Sequence, residues 1–230
     1  MLRVGLTGSL GSGKSTAARL FASHGAHTLQ SDAIGRELMQ PGQAVYAAIV
    51  QHFGDDVVMQ DGQLDRGALA KIAFTDGRVE ELNAIVHPAV IARQAAYADD
   101  VFQLDPSGVV IIESALIFET NFSGQPGDKT RWHSRFDRTI LVTAPEEIKI
   151  ARFIARASAG CELTEARRAE FEADARRRLA QQLPDDQKSG VVDYVLTNAG
   201  PLTELEWQVD QLWPILLAAA AQPPAPTKDH

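Results

Sequence analysis

The chain has 230 residues, 45% hydrophobic and 23% charged, the balance of a globular protein with a sizeable core. Its formal net charge of −8 argues against a nucleic-acid partner, which would select a basic face, so an anionic ligand must be met by local clusters of cations. The single cysteine, Cys161, excludes an intrachain disulfide and points to a reducing, cytoplasmic setting; the apolar run 213–221, interrupted by Pro214, is too short to span a bilayer and predicts no membrane partner.

In chain order, Met1-Leu2-Arg3 leads straight into a short apolar strand, 3–6, with no secretory signal ahead of it. GLTGSLGSGKST follows at 5–16, with the spacing Gly8-x-x-x-x-Gly13-Lys14-Ser15. Glycine lets backbone N–H groups approach an anion without an intervening Cβ, and a helix N-terminus behind the loop favours negative charge. In such a loop a lysine reaches the β- and γ-phosphates and the next hydroxyl meets magnesium, which assigns these roles to Lys14 and Ser15. Ala18, Leu20 and Phe21 supply the helical spacing behind the loop, and Gly25 stands at the expected stop. Thr16 occupies the place where a dinucleotide fingerprint needs a third glycine.

A second strand, 26–29, ends at Gln30-Ser31-Asp32. A carboxylate at a strand's carboxyl end can take a hydroxyl proton or hold a metal's water shell, while an Asp here also suits the N-cap of a helix over 33–39. A helical excursion then fills 34–104, including AVYAAIVQHF, LDRGALAKIAF and VEELNAIVH, with a helix break expected at His87-Pro88. A third strand, 109–112, is followed by Glu113 and Glu119 bracketing SALIF; each is either a site carboxylate or a surface one. NFSGQPGDKTRWHSRF, 121–136, reads as a surface loop. After the fourth strand, 139–142, Pro145 opens the helix PEEIKIARFIARA, which leads into an arginine-rich insert. There Arg156, Arg176, Arg177 and Arg178, with Lys188 beyond, are candidates for neutralising transferred phosphate; the alternative is a solvated face balanced by Glu165, Glu170, Glu172 and Asp174. A fifth strand, 192–196, and a C-terminal helix close the chain, and the proline-rich 222–230 is expected to be disordered.

Five apolar runs separated by helices predict an α/β fold with a five-stranded parallel sheet between two helical layers. The expected partition is a nucleotide-binding core from 1–33, 105–150 and 189–221, a helical substrate-binding subdomain at 34–104 and a lid at 151–188. A phosphate loop with one substrate-sized insert and one arginine-rich insert is the layout of a small-molecule kinase.

These segments resemble the dephospho-coenzyme A kinase family over nearly the whole chain. LTGSLGSGKST is similar to the family's LTGGIGSGKST, SDAIGREL to its Asp-Ala-Asp-x-x-Ala-Arg segment, LNAIVHP to its Ile-x-His-Pro motif, ESALIFE to its Pro-Leu-Leu-Phe-Glu stretch, ARRRLAQQLPDDQK to its lid and DYVLTNAG to its closing strand and Asn-x-Gly turn. The resemblance implies ATP-dependent phosphorylation of the ribose 3′-hydroxyl of dephospho-coenzyme A, the last step of coenzyme A biosynthesis, with ATP and Mg²⁺ as cofactors. It implies catalytic roles for Asp32, Lys14 and Arg156, and ATP contacts from Gly11, Ser12, Gly13, Lys14, Ser15, Thr16, Arg178 and Asn198. Acceptor contacts fall to Thr7, Asp32, Arg36, His87 and Glu119, and the metal contact to Ser15. Gln30 and Ala115 depart from the family pattern, so Asp32 acts without a second acid. The expected protein is a cytoplasmic monomer or weak homo-oligomer. A nucleoside-monophosphate kinase would share the layout; a GTPase-type switch would need an Asn-Lys-x-Asp base-reading motif, which is absent.

Overall fold

The computed structural model describes residues 1–118 and 132–222, apart from the side chains of Phe74 and His133. Its strands are β1 Leu2–Thr7, β2 His27–Gln30, β3 Val109–Glu113, β4 Arg138–Thr143 and β5 Tyr194–Thr197. They form one parallel sheet in the order β2-β3-β1-β4-β5. Each coincides with an expected apolar run to within two residues, because strands covered on both faces carry continuous hydrophobic sequence. β3 is buried at every position.

The helices are α1 Lys14–Ser23, α2 Ser31–Leu38, α3 Ala44–Phe53, α4 Arg66–Ala70, α5 Val79–Leu104, α6 Trp132–Arg135, α7 Glu146–Ala157, α8 Glu165–Ala180, α9 Asp185–Ser189 and α10 Leu202–Ala220. On one sheet face, Val4, Leu6, Ile111 and Val142 pack against Phe21 of α1 and Leu205, Val209 and Leu216 of α10. On the other, Val110 and Ile112 meet Ala98, Val101 and Phe102 of α5, with Ile117, Phe118 and Phe136. Burying side chains of this size contributes about 1.5–3 kcal/mol each, which is why alternate residues along one strand serve opposite layers. α3, α4 and the first half of α5 enclose a separate core around Val45, Ile49, Val57, Leu64 and Leu69. α7 and α8 pack through Ile150, Phe153, Ile154 and Ala175. Among the described residues no helix is long and apolar enough to cross a membrane.

Three expectations change. The break at His87-Pro88 does not occur: α5 runs unbroken through Pro88. Proline removes one backbone donor at a cost of about 3 kcal/mol. That cost is met because α5 is anchored at both ends, by Leu82, Ile85 and Val86 in the insert core and by Ala98, Val101 and Phe102 at the sheet. Asp32 is not an N-cap: α2 starts at Ser31 with Gln30 as cap, which leaves Asp32 in the first turn. The second half of the expected surface loop is a helical turn, α6, in which Trp132 packs edge-on against Phe118 at 4.9 Å and leads into buried Phe136. The segment 121–131 and the tail 223–230 lie outside the described residues.

Strand register sets the site. β1 and β2 flank β3, with Leu6 level with Glu113 and Gln30 level with Glu113. On the other side Thr143 is level with Thr197. The loop after β1, the start of α2, Glu113 and Asn198 therefore converge at the carboxyl edge of the sheet, where open parallel sheets hold their ligands.

Candidate active site

The loop between β1 and α1 is shaped for an anion. α1 begins after Gly13, which has φ of 97° and offers no side-chain cap, so the helix's first N–H groups face the loop. A Cβ on Gly13 would lie 2.0 Å from Asn198 Nδ2, and one on Gly11, with φ of 72°, would lie 2.3 Å from the Lys149 carbonyl oxygen. Both conformation and crowding demand glycine at these two positions. From outside the loop, Asn198 Nδ2 donates to the Ser12 carbonyl at 2.9 Å, and Arg152 Nη2 donates to Asn198 Oδ1 at 3.2 Å.

Lys14 folds over this loop, donating to the carbonyls of Gly8 at 2.8 Å and Ser9 at 3.1 Å. Burial lowers its pKa to about 8, against the opposing pull of Glu113 and Asp32, while Lys188 and Arg156 add to the lowering. An ammonium whose partners are carbonyls can exchange them for a stronger counter-charge such as an anion. Ser15 Oγ donates to Glu113 Oε1 at 2.5 Å. The other carboxylate oxygen of Glu113 is buried without a hydrogen-bond partner. A buried carboxylate oxygen of this kind is costly unless a cation or donor completes it.

Two cavities meet here. The smaller, about 170 Å³, is lined by Lys14, Ser15, Gln30, Asp32, Arg36, Glu113, Ser114 and Ala115. The larger, about 860 Å³, runs between α2, α4 and α5, and its wall is mostly apolar. Asp32, Arg36 and Ser114 line both. His87, Arg135 and the buried pair Gln94–Ser31, bonded at 2.8 Å, belong to the larger cavity. Burial, and then the charge of Arg135, hold the His87 imidazole below its ordinary range, so it is neutral at pH 7. Burial also lowers Arg135 to about 10, which leaves it cationic at neutral pH. A small polar chamber that shares Asp32, Arg36 and Ser114 with a ligand-sized, mostly apolar cavity can align an anionic donor with a bulky acceptor.

The fold thus brings together Gly11, Ser12, Gly13, Lys14, Ser15, Asp32, Arg36 and His87. Thr16 follows in the first turn of α1. Thr7 is fully buried at the end of β1 and lines neither cavity. Asn198 is buried behind the loop and holds its backbone. Arg156, in the last turn of α7, lies over the Phe153 ring at 5.9 Å. Arg178 lies over the same ring at 5.5 Å and pairs with Asp174, while Arg176 pairs with Glu146 and Glu172 and Arg177 with Asp174. Glu119 lies outside the described residues. Sequence reasoning missed Arg135, whose approach depends on α6, and Arg152. Arg152 stands one turn before Arg156 on α7, and that i, i+4 spacing was the available signal. It left Glu113 open between site and surface; the structure puts it in the site.

The family model for dephospho-CoA kinase matches residues 2–204. A dephospho-CoA kinase of Streptomyces avermitilis is 37% identical over 229 residues, covering 97% of this chain and 98% of that one. One from Mycolicibacterium paratuberculosis is 36% identical over 214 residues, 93% of this chain, which spans about half (47%) of that longer relative. Among solved structures, a Thermus thermophilus protein superposes with a TM-score of 0.71 at 29% identity, over 94% of this chain and 97% of that one. The dephospho-CoA kinase of Campylobacter jejuni shares the fold, with a TM-score of 0.56 at 18% identity over 93% and 96%.

Proposed function

The chain belongs to the dephospho-CoA kinase family, and from that premise we propose that it transfers the γ-phosphoryl group of ATP to the ribose 3′-hydroxyl of dephospho-CoA. The products are CoA and ADP, and the reaction is the last step of CoA biosynthesis. The observation that carries the reading is the shared lining of the two cavities by Asp32, Arg36 and Ser114, which supports a transfer between occupants of the two with one carboxylate beside both.

In this reading residues 11–16 cradle the ATP phosphates through backbone N–H groups. Lys14 leaves the Gly8 and Ser9 carbonyls for the β- and γ-phosphates. Asp32 orients the acceptor hydroxyl and takes its proton as the new ester bond forms. Arg36 and Arg135 offer charge to the acceptor's diphosphate, and neutral His87 shapes the wall beside it. The apolar part of the large cavity receives the acceptor's non-reacting arm. Arg156 and Arg178 neutralise charge when the α7–α8 hairpin closes as a lid and excludes water.

The hard oxygen donors here fit magnesium: Ser15 Oγ is bonded to one oxygen of Glu113, the other oxygen of Glu113 is unpartnered, and Asp32 lines the same chamber. No cluster of three or more His, Cys, Asp or Glu side chains that could hold a metal occurs among the described residues, which suits an ion held largely by phosphate. Bound there, Mg²⁺ would spread the charge of the β- and γ-oxygens. The magnesium requirement, a cytoplasmic setting, the three-part domain division and a monomeric or weakly associated chain belong to the same proposal.

The test is to incubate purified protein with ATP, Mg²⁺ and dephospho-CoA, identify the product by mass and follow ADP with a coupled assay. Nucleoside monophosphates serve as alternative acceptors. Phosphorylated product from dephospho-CoA alone supports the reading; turnover only with a nucleoside monophosphate, or none, overturns it.

A further inference from the structure

The phosphate-binding loop is gripped by residues 172 to 176 positions away in sequence, on the chain leaving α8. The Leu10 N–H donates to Gln182 Oε1 at 2.9 Å. The Ser9 hydroxyl donates to Asp185 Oδ2 at 3.3 Å. That same oxygen accepts from Thr143 Oγ1 at 2.7 Å and Lys149 Nζ at 2.5 Å, so Asp185 is itself fixed to the end of β4 and to α7. Burial pushes the Asp185 carboxyl up, but the hydrogen bonds from Lys149 and Thr143 outweigh it and hold the group ionised. Leu10 is tied twice over: its side chain packs into the α7–α8 cluster with Phe171 and Leu179 of α8, while its N–H is taken by Gln182.

We propose that Gln182 is a positioning residue for ATP, and that the Leu10–Gln182 contact is the joint coupling α8 to the phosphate-binding loop. The loop works only if its N–H groups keep a fixed concave arrangement, and Leu10 lies three residues before Gly13. α8 cannot shift without carrying Gln182, and Gln182 cannot move without pulling on Leu10. ATP binding and the placement of α8 are then linked reciprocally: whichever is fixed first favours the other. The Asp185 contact to Thr143, at the end of β4 in the sheet, is the fixed end against which the joint works.

The inference rests on the kinase reading, so its test includes measurements that do not need turnover. Gln182→Met keeps side-chain length and removes the acceptor; Gln182→Glu keeps an oxygen acceptor at the same position. Half-buried Gln182 lies outside the main core, and both variants are expected to melt within about 5 °C of the parent. ATP affinity is measured by calorimetry without acceptor, KM for each substrate by the coupled assay, and amide exchange across 165–180 with and without saturating ATP. For Gln182→Met the expected result is ATP affinity weakened about fivefold to tenfold, the worth of one hydrogen bond to a half-buried donor. The KM for dephospho-CoA should be unchanged, and ATP should no longer slow exchange in α8. Gln182→Glu should stay within about threefold of the parent. Unaltered ATP affinity in Gln182→Met, equal losses in both variants, or parent-like protection of α8 at saturating ATP overturns the coupling. A parent protein that binds ATP but does not phosphorylate dephospho-CoA overturns the kinase reading instead, and leaves the calorimetric and exchange comparison intact.

Discussion

Replacing Asp32 by Asn isolates the carboxylate's chemistry from its place in the fold. Asp32 lies in the first turn of α2, behind the cap residue Gln30, and makes no capping hydrogen bond. The folded state loses the attraction between a carboxylate and a helix N-terminus, about 0.3–1 kcal/mol, together with a share of the field that holds Lys14 charged. In a chain of this size that moves Tm by no more than about 2–4 °C. Activity should respond on another scale, because a positioned base contributes about 10²- to 10⁴-fold, or about 3–5 kcal/mol of barrier. A second consequence follows from charge. The Asp32 carboxylate helps hold the Lys14 ammonium protonated, so its loss lowers the Lys14 pKa further below about 8. The residual activity of Asp32→Asn should then fall off at lower pH than that of the parent. ATP affinity near pH 7 should hold, since a negative charge has left the neighbourhood of the phosphates. Melting temperature, calorimetric ATP affinity and turnover from pH 6 to about 9.5, on one preparation, check all three. Stable protein with parent-like turnover would refute the assignment, and would move the search for the base to Glu113.

In the parent, Lys14 has a pKa of about 8 before ATP binds, so kcat/KM for ATP should decline above that pH as the ammonium is lost. Bound phosphate favours the charged form, so kcat should persist to higher pH, and Lys14→Arg should abolish the alkaline decline of kcat/KM; a kcat/KM flat to about pH 9.5 in the parent would count against the role of Lys14. Gly13→Ala must place a Cβ 2.0 Å from Asn198 Nδ2 at a φ of 97°, and should weaken ATP binding more than tenfold by calorimetry; parent-like affinity would show that Asn198 yields without disturbing the loop. Arg156→Ala should lower kcat at least tenfold with little change in the KM for dephospho-CoA, as expected for a contact made mainly in the transition state. An unchanged kcat would assign Arg156 to the solvated face and make Arg178 the better candidate.

The sheet and the anion loop were legible in the sequence because their causes are local. A strand buried on both faces must be apolar throughout, as in VVII of β3, and a backbone that wraps phosphate must carry glycine where a Cβ cannot fit, as at Gly11 and Gly13. The helix behind the loop, α1, was legible for the same reason. The continuity of α5 through Pro88 was not, because local preference argues for a break, and only the packing of both halves of the helix overrides it. The pairing of Ser15 with Glu113 spans 98 residues, and the grip of Gln182 on Leu10 spans 172. Both depend on strand register, since a slip of one residue in β3 would turn Glu113 to the opposite face and leave Ser15 without its partner. Register and helix docking are set by the whole set of buried contacts at once, so no stretch of sequence carries them alone. Residue types decided what chemistry this chain can do; the tertiary structure decided which of its carboxylates and cations are close enough to do it together.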